Sequence, residues 1–182
     1  MLRVLRFIAG AAVAIAIWWY ATAPYDALLC SALRLAGVAA EPIGRAVAVT
    51  RTGAPSIQVP ADQLTYNIIL FAGLVAAMPP RLWRGIVAFL VLCIFHAIAL
   101  YTTIESTYAL RAGAYSESHY SSLAQDFWNS ADFIYRIGGM FAVAFVCWYA
   151  ATRIGARGSR QETSPGSAKH APARRKAPGS RR

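Results

Sequence analysis

Residues 64–103 read LTYNIILFAGLVAAMPPRLWRGIVAFLVLCIFHAIALYTT. Two apolar runs, Leu64–Met78 and Gly85–Thr103, contain no Asp, Glu, Lys or Arg, and Pro79-Pro80 with Arg81, Trp83 and Arg84 separate them. A hydrocarbon core of ~30 Å is crossed by a helix of about 20 residues. Proline cannot continue a helix, because it lacks the N–H and its ring meets the preceding turn. Two helices joined by so short a connection must be antiparallel neighbours. This stretch therefore predicts a helical hairpin inside a membrane, with a basic turn at its tip.

Composition agrees. The 182 residues are 57% hydrophobic and only 14% charged, too little charge for the surface of a soluble domain of this size. Towards the N-terminus, Val4–Thr22 (VLRFIAGAAVAIAIWWYAT) is a further span, with Arg3 and Arg6 at one end and Trp18, Trp19 and Tyr20 as an aromatic belt at the other. The bulky Trp-Trp-Tyr end favours an uncleaved anchor over a signal peptide, although Ala21-Thr22-Ala23 resembles a cleavage site. Towards the C-terminus, Phe133–Ala151 is the last span, closed by Trp148, Tyr149 and Arg153. The expected fold is an all-α, four-helix transmembrane bundle over residues 1–154, with spans at about 4–22, 64–78, 85–103 and 133–151.

The basic residues orient it. Arg3 and Arg6, Arg81 and Arg84, and the C-terminal segment share one side, whereas Asp26, Glu41, Asp62, Glu105, Glu117, Asp126 and Asp132 share the other. By the positive-inside rule both termini are cytoplasmic, in the inner (plasma) membrane of a cell. Arg34, Arg45, Arg51 and Arg111 fall on the outer side and run against the bias. From Arg153 onward nine basic residues face the single Glu162, so this stretch holds +8 of the net +10. Rich in Arg, Pro, Ser, Gly and Ala, residues 155–182 are expected to be a disordered tail held against anionic lipid, with no specific nucleic-acid partner.

Two outer segments connect the spans. In Tyr25–Ala39, Leu28, Leu29, Ala32, Leu33 and Ala36 form a helical stripe and predict a separate short outer-side helix. In Arg45–Val59, Val47 and Val49 alternate with smaller residues, Thr52–Pro55 supplies a turn, and Ile57 and Val59 alternate again, which predicts a β-hairpin. Cys93 and Cys147 sit within apolar runs and Cys30 stands in a connecting segment, with no CxxC and no Cys/His cluster. That pattern calls for no metal, no cofactor and no disulfide framework.

Polar groups within or beside the spans carry the functional signal, because ionisable groups are costly there. His96 lies mid-span, with Tyr66 and Asn67 as candidate partners across the hairpin. Asp132 and Arg136, four residues apart, share one helical face. Asp62, Gln63, Tyr66, Glu105, Asp132 and Arg136 all fall near the outer interface. A bundle closing there would gather Asp62, Tyr66, Asn67, His96, Glu105, Asp132 and Arg136 into a polar pocket. No Ser/His/Asp set, HExxH or glycine-rich phosphate loop occurs, and no residue is assigned as catalytic.

Pro60–Leu100, PADQLTYNIILFAGLVAAMPPRLWRGIVAFLVLCIFHAIAL, resembles the core of the exosortase/archaeosortase family. These are membrane cysteine transpeptidases that process C-terminal sorting signals. In that family a cysteine opens one span, a Pro- and Arg-containing turn follows, and an Asn-x-x-Arg element lies near the outer end of the next span. The run FWNSADFIYRIGGMFAVAFVCWYAATR is similar to the family's last span, with Arg136 in the position of its basic residue. No cysteine lies near Ala61–Leu64, however, and His96-Ala97-Ile98-Ala99 stands where the Asn-x-x-Arg element belongs. A thiolate nucleophile has no substitute in Asp62 or Gln63. The resemblance thus implies a non-catalytic relative, of the exosortase H-associated membrane protein type. Its partners would be an exosortase or the C-terminal helix of a sorted protein. A membrane enzyme using His96, Asp132 or Arg136, and a structural subunit of an unrelated complex, are the alternatives.

Overall fold

The structure is a computed structural model that describes residues 1–153. The basic segment 155–182, with its expected disorder and lipid contact, lies outside the described residues. In chain order the elements are α1 (Leu2–Leu35), β1 (Ala39–Ile43), β2 (Ala46–Thr50), β3 (Ile57–Val59), α2 (Ala61–Thr65), α3 (Asn67–Ala77), α4 (Leu82–Arg111), α5 (Ala114–His119), α6 (Ser122–Ile134), a π-helical turn (Tyr135–Gly139) and α7 (Met140–Arg153). The chain is mostly helical, with a small antiparallel sheet. Three helices are long and apolar enough to cross a membrane: Leu2–Leu35, Leu82–Arg111 and Ser122–Arg153. A shorter apolar segment, Ala61–Ala77, accompanies them.

The expected outer-side helix at Tyr25–Ala39 is not separate. It is the second half of α1, which runs 34 residues with Pro24 inside it. Pro24 is exposed, while the buried positions Trp18, Thr22, Tyr25, Asp26, Leu29, Cys30 and Leu33 continue past it on one face. An internal proline costs about 3 kcal/mol. Leu29 and Leu33, each 2% exposed, contribute roughly 2 kcal/mol apiece by burial and offset that cost. The buried stripe is not the one expected, since Leu28 is 57% exposed. At about 1.5 Å per residue α1 is ~50 Å long, well beyond a ~30 Å hydrocarbon core. Its second half carries the sheet. Gly37, with φ +81°, ends the helix. Val38 N–H donates to Leu33 O and Gly37 N–H to Arg34 O, both at 3.0 Å, and the apolar pair Leu33 and Val38 closes this cap.

The hairpin forms as β2–β3, and β1 pairs antiparallel with β2 to make three strands in the order β1-β2-β3. Gly44, at φ +62°, opens the two-residue connection between β1 and β2. The register sets Ala40 opposite Val49 and Val47 opposite Val59. These four inward residues are all buried and pack towards α1 and α4. Pro42 is tolerated because β1 is an edge strand.

Two further boundaries differ from expectation. α4 continues past Thr103 to Arg111, so Glu105 lies on the helix and not in a loop. No glycine or proline interrupts it before Gly113, and Thr103, Ile104, Ser106, Tyr108 and Ala109 are all buried. The last span begins at Ser122, with the Ser121 hydroxyl accepting from Ala124 N–H as the N-cap. It contains a π-helical turn at Tyr135–Gly139.

α1 and α3 approach through small residues. A Cβ on Gly10 would lie 2.3 Å from the Ala76 Cβ, and one on Gly73 would lie 2.8 Å from the Phe7 ring. In lipid, where no hydrophobic force draws helices together, such close packing is a main source of association. Gly10→Ala should therefore destabilise the detergent-solubilised protein, seen as a lower Tm. Ala76→Gly in the same chain should restore most of the loss, although Ala76→Gly alone costs up to about 1 kcal/mol in helix propensity. A double variant no better than Gly10→Ala would show that this contact does not hold the helices together.

Candidate functional site

A buried polar group is formed by a chain of three side chains from three helices. Tyr25 Oη of α1 lies 2.6 Å from His96 Nδ1 of α4. His96 Nε2 lies 2.5 Å from Asn67 Oδ1 of α3, and Asn67 Nδ2 donates to Met140 O, where α7 begins, at 2.8 Å. Asn67 and His96 are fully buried and Tyr25 is 9% exposed. The bond to the Met140 carbonyl fixes the amide orientation, because only the NH₂ end can donate. Asn67 Oδ1 therefore accepts, His96 Nε2 carries the proton, and Nδ1 accepts from the Tyr25 hydroxyl. In that tautomer both nitrogens of the imidazole are used. Tyr66, the other candidate partner of His96, instead points outward at 46% exposure.

A second group lies at the sheet. The guanidinium of Arg51, just after β2, pairs with the Glu105 carboxylate, whose side chain is 8% exposed. Arg51 Nη1 also donates to Tyr120 Oη at 2.9 Å, and Tyr120 Oη donates to Glu105 Oε2 at 2.7 Å. The guanidinium stacks over the Tyr108 ring at 4.6 Å. Burial alone would lower the Arg51 pKa, but the hydrogen bond and charge of Glu105 hold it above its ordinary value. Burial and the hydrogen bond to Glu105 push the Tyr120 phenol up. This cluster joins the sheet to α4 and to the α5–α6 connection.

A third group lines an open cleft. Arg136 Nε donates to Asp132 Oδ2 at 2.9 Å, and the Thr103 hydroxyl donates to Asp132 Oδ1. With Gln58, Gln63, Arg111 and Asn129 they border a cavity of about 390 Å³ between β3, α2, α4 and α6. Asp62 and Tyr66 form a pair of their own, 3.4 Å apart and exposed. The seven residues expected to share a pocket thus occupy four places: Asn67 with His96, Glu105 with Arg51, Asp132 with Arg136, and Asp62 with Tyr66.

Three participants escaped the sequence reading. Tyr25 and Arg51 meet their partners across 71 and 54 residues. Arg51 had one signal, a basic residue on the side where basic residues are disfavoured. Asp26 is fully buried, and neither carboxylate oxygen has a hydrogen-bond partner. Its signal was an acid within a helical stripe of apolar residues. Cys30, placed in a connecting segment by sequence, is in α1 and fully buried. Its neighbour Arg34 donates from Nε to Ala40 O at 2.8 Å and so caps the start of β1. Among the described residues no three His, Cys, Asp or Glu side chains group as a metal site.

Comparison with protein-family models, with curated proteins and with solved structures finds no match to this chain.

The Tyr25–His96–Asn67 chain predicts unequal costs. Asn67→Ala strands both the His96 N–H and the end of the chain at Met140, and should cost about 2 kcal/mol. Tyr25→Phe leaves only an acceptor nitrogen unpaired and should cost about 1 kcal/mol, within the range measured for side-chain hydrogen bonds in membranes. A double-mutant cycle on unfolding in mixed detergent should show coupling between the two sites. Strict additivity would mean that the three side chains do not act as a unit.

Proposed function

We propose that the chain is a four-span inner-membrane protein with both ends in the cytoplasm, serving a protein-sorting system as a non-catalytic, exosortase-like partner. The four spans are α1, the α2–α3 segment, α4 and α6–α7. The ends carrying Arg3, Arg6, Arg81, Arg84, Ala151 and Thr152 meet around one cleft, which favours a common side for the N-terminus, the hairpin tip and the end of α7. The concentration of arginine there makes that side cytoplasmic.

One observation carries the non-catalytic reading. Cys30, the cysteine nearest the outer side, is sealed in the packing between α1 and the sheet, and Cys147 is buried as well. Cys93 is only partly covered but lies mid-way along α4. Thiols in apolar surroundings are poor nucleophiles, because the thiolate is disfavoured. His96 is committed on both nitrogens and offers no free base to activate one. The role that remains is to pack against a sorting enzyme or to hold the transmembrane tail of its substrate.

The enzymatic alternative draws on the open cleft lined by Asp132, Arg136 and Gln63. There an acid and a guanidinium face a space large enough for a small ligand.

Reporter fusions after Arg6 and Arg84 should report the cytoplasm, and fusions near Gly53 and Ser118 the outer side. A cytoplasmic signal at Gly53 overturns the four-span arrangement. Replacing Cys30, Cys93 and Cys147 together by Ala should leave processing of a sorted substrate within about twofold of wild type, since buried thiols act here as small hydrophobes. The protein should also co-purify with a sorting enzyme from native membranes. Loss of processing on Cys30→Ala alone, in a variant that still inserts and folds, would make this protein an enzyme.

A further inference from the structure

The end of the molecule where α1 begins and α7 ends holds a feature that packing does not use. Arg3 and Arg6 from α1, and Arg81 and Arg84 from the α3–α4 turn, border one open cleft of about 510 Å³ with Met78, Pro79, Pro80 and Thr152. No carboxylate among the described residues lines it. Among the described residues the ion pairs are Arg51–Glu105 and Arg136–Asp132, both at the other end of the helices. Four guanidiniums around one cavity repel one another unless an anion lies between them. The positive-inside rule asks for basic residues on one side of a bilayer, and exposed loops would satisfy it without such convergence. Guanidinium is also the side-chain cation that grips phosphate oxygens two at a time.

A second cavity adjoins the first. A groove of about 260 Å³ runs between α4 and α7, lined by Val87, Ala88 and Val91 on one side and by Cys147, Ala150 and Ala151 on the other. Arg84 and Ala151 border both spaces, so the apolar groove opens at the arginine cleft. Val87 and Val91 follow Arg84 at helical spacing and lead from the basic end into the apolar length of α4. The groove exists because alanines at 88, 150 and 151 leave room where larger side chains would close it. Trp83, 60% exposed beside Arg84, stands at its mouth as an interfacial anchor.

We propose that cleft and groove together bind one anionic glycerophospholipid. Its phosphate is held by Arg3, Arg6, Arg81 and Arg84, and one acyl chain lies along the groove between α4 and α7. A basic pocket beside a hydrophobic channel matches both halves of such a molecule and matches neither a soluble anion nor a zwitterionic lipid as well. The site rests on the reading of these helices as membrane spans. It is independent of the sorting role.

The test uses the full-length protein, purified and delipidated in detergent. Native mass spectrometry and thermal unfolding are followed with phosphatidylglycerol, with phosphatidylcholine of the same chains, and with inorganic phosphate. One phosphatidylglycerol should be retained and raise the Tm, with a preference over phosphatidylcholine on the order of tenfold or more. The variant Arg6→Gln/Arg84→Gln should lose most of that preference, and Arg111→Gln, at the opposite end, should keep it. Val87→Trp, which fills the groove and leaves every arginine in place, should weaken retention too, and it decides the matter if the double arginine variant fails to fold. Equal retention of the two lipids, an unaffected Arg6→Gln/Arg84→Gln variant, an unaffected Val87→Trp variant, or equal stabilisation by inorganic phosphate would each overturn the site. A protein that binds the lipid but co-purifies with no sorting enzyme refutes the proposed function and leaves this site standing.

Discussion

Four helices of this protein meet at a hydrogen-bonded chain that none of them could leave without stranding a polar group. Tyr25 of α1, His96 of α4 and Asn67 of α3 are joined at 2.5–2.6 Å, and Asn67 extends the chain to the carbonyl of Met140 at the start of α7. In an apolar interior each of these groups alone is a liability, because an unmade hydrogen bond costs far more than a made one contributes. Satisfied together, they fix the relative depth of four elements, since a shift of any one helix by a single turn of about 5.4 Å would break every link that helix makes. Apolar packing supplies attraction without such register. The α1–α3 approach through Gly10 and Gly73 complements the chain: small residues set how close the helices come, and the polar chain sets how far along each other they sit.

The sheet depends on the same helices through a different interaction. Two strands with a short third are marginal alone. Here the buried face of Ala40, Val47, Val49 and Val59 lies against the second half of α1 and the C-terminal half of α4. The Tyr108 hydroxyl donates to Val49 O, and Arg51 locks the end of β2 to Glu105. Tyr108 also receives the Arg51 guanidinium on its ring. The long helices are thus the platform, and the far ends of α1 and α4 carry a β-sheet on a chain made mostly of apolar helices.

Local signals made much of this legible in the sequence. Uncharged runs, Pro79-Pro80 and the arginines of the turn announce the helical hairpin, and alternation of valines around Thr52–Pro55 announces β2 and β3. His96 stands out because an ionisable side chain in an apolar run is costly, and Asn67 sits at a similar distance from the turn on the facing helix. What was hidden depends on tertiary contact. Pro24 reads as a helix end until the burial of Leu29 and Leu33 is known to outweigh it. β1 is invisible because Ala39-Ala40-Glu41-Pro42-Ile43 has little strand propensity, and its pairing comes from the Gly44 turn and the neighbouring β2. Glu105 looks like a pocket residue until Arg51 appears beside it, and no periodicity predicts a pairing across 54 residues.

The arginines at the two ends of the helices then separate by what they touch. Those near the sheet are engaged inside the molecule: Arg34 with the Ala40 carbonyl, Arg45 over the Trp19 ring at 4.0 Å, Arg51 with Glu105, and Arg136 with Asp132. Each therefore has a structural reason to be where it is, and their presence against the general charge bias says little about orientation. Among the described residues, Arg3, Arg6, Arg81 and Arg84 pair with no carboxylate or backbone carbonyl and converge on open space, with Arg84 beside the neighbouring Trp83 ring. Charge consumed in holding a fold and charge presented outward are different quantities, although a count of basic residues adds them together. Weighed this way, the bias towards the end that carries Arg3 and Arg81 is stronger than the sequence tally suggests, because three of the four exceptions on the opposite side, Arg34, Arg45 and Arg51, have structural partners.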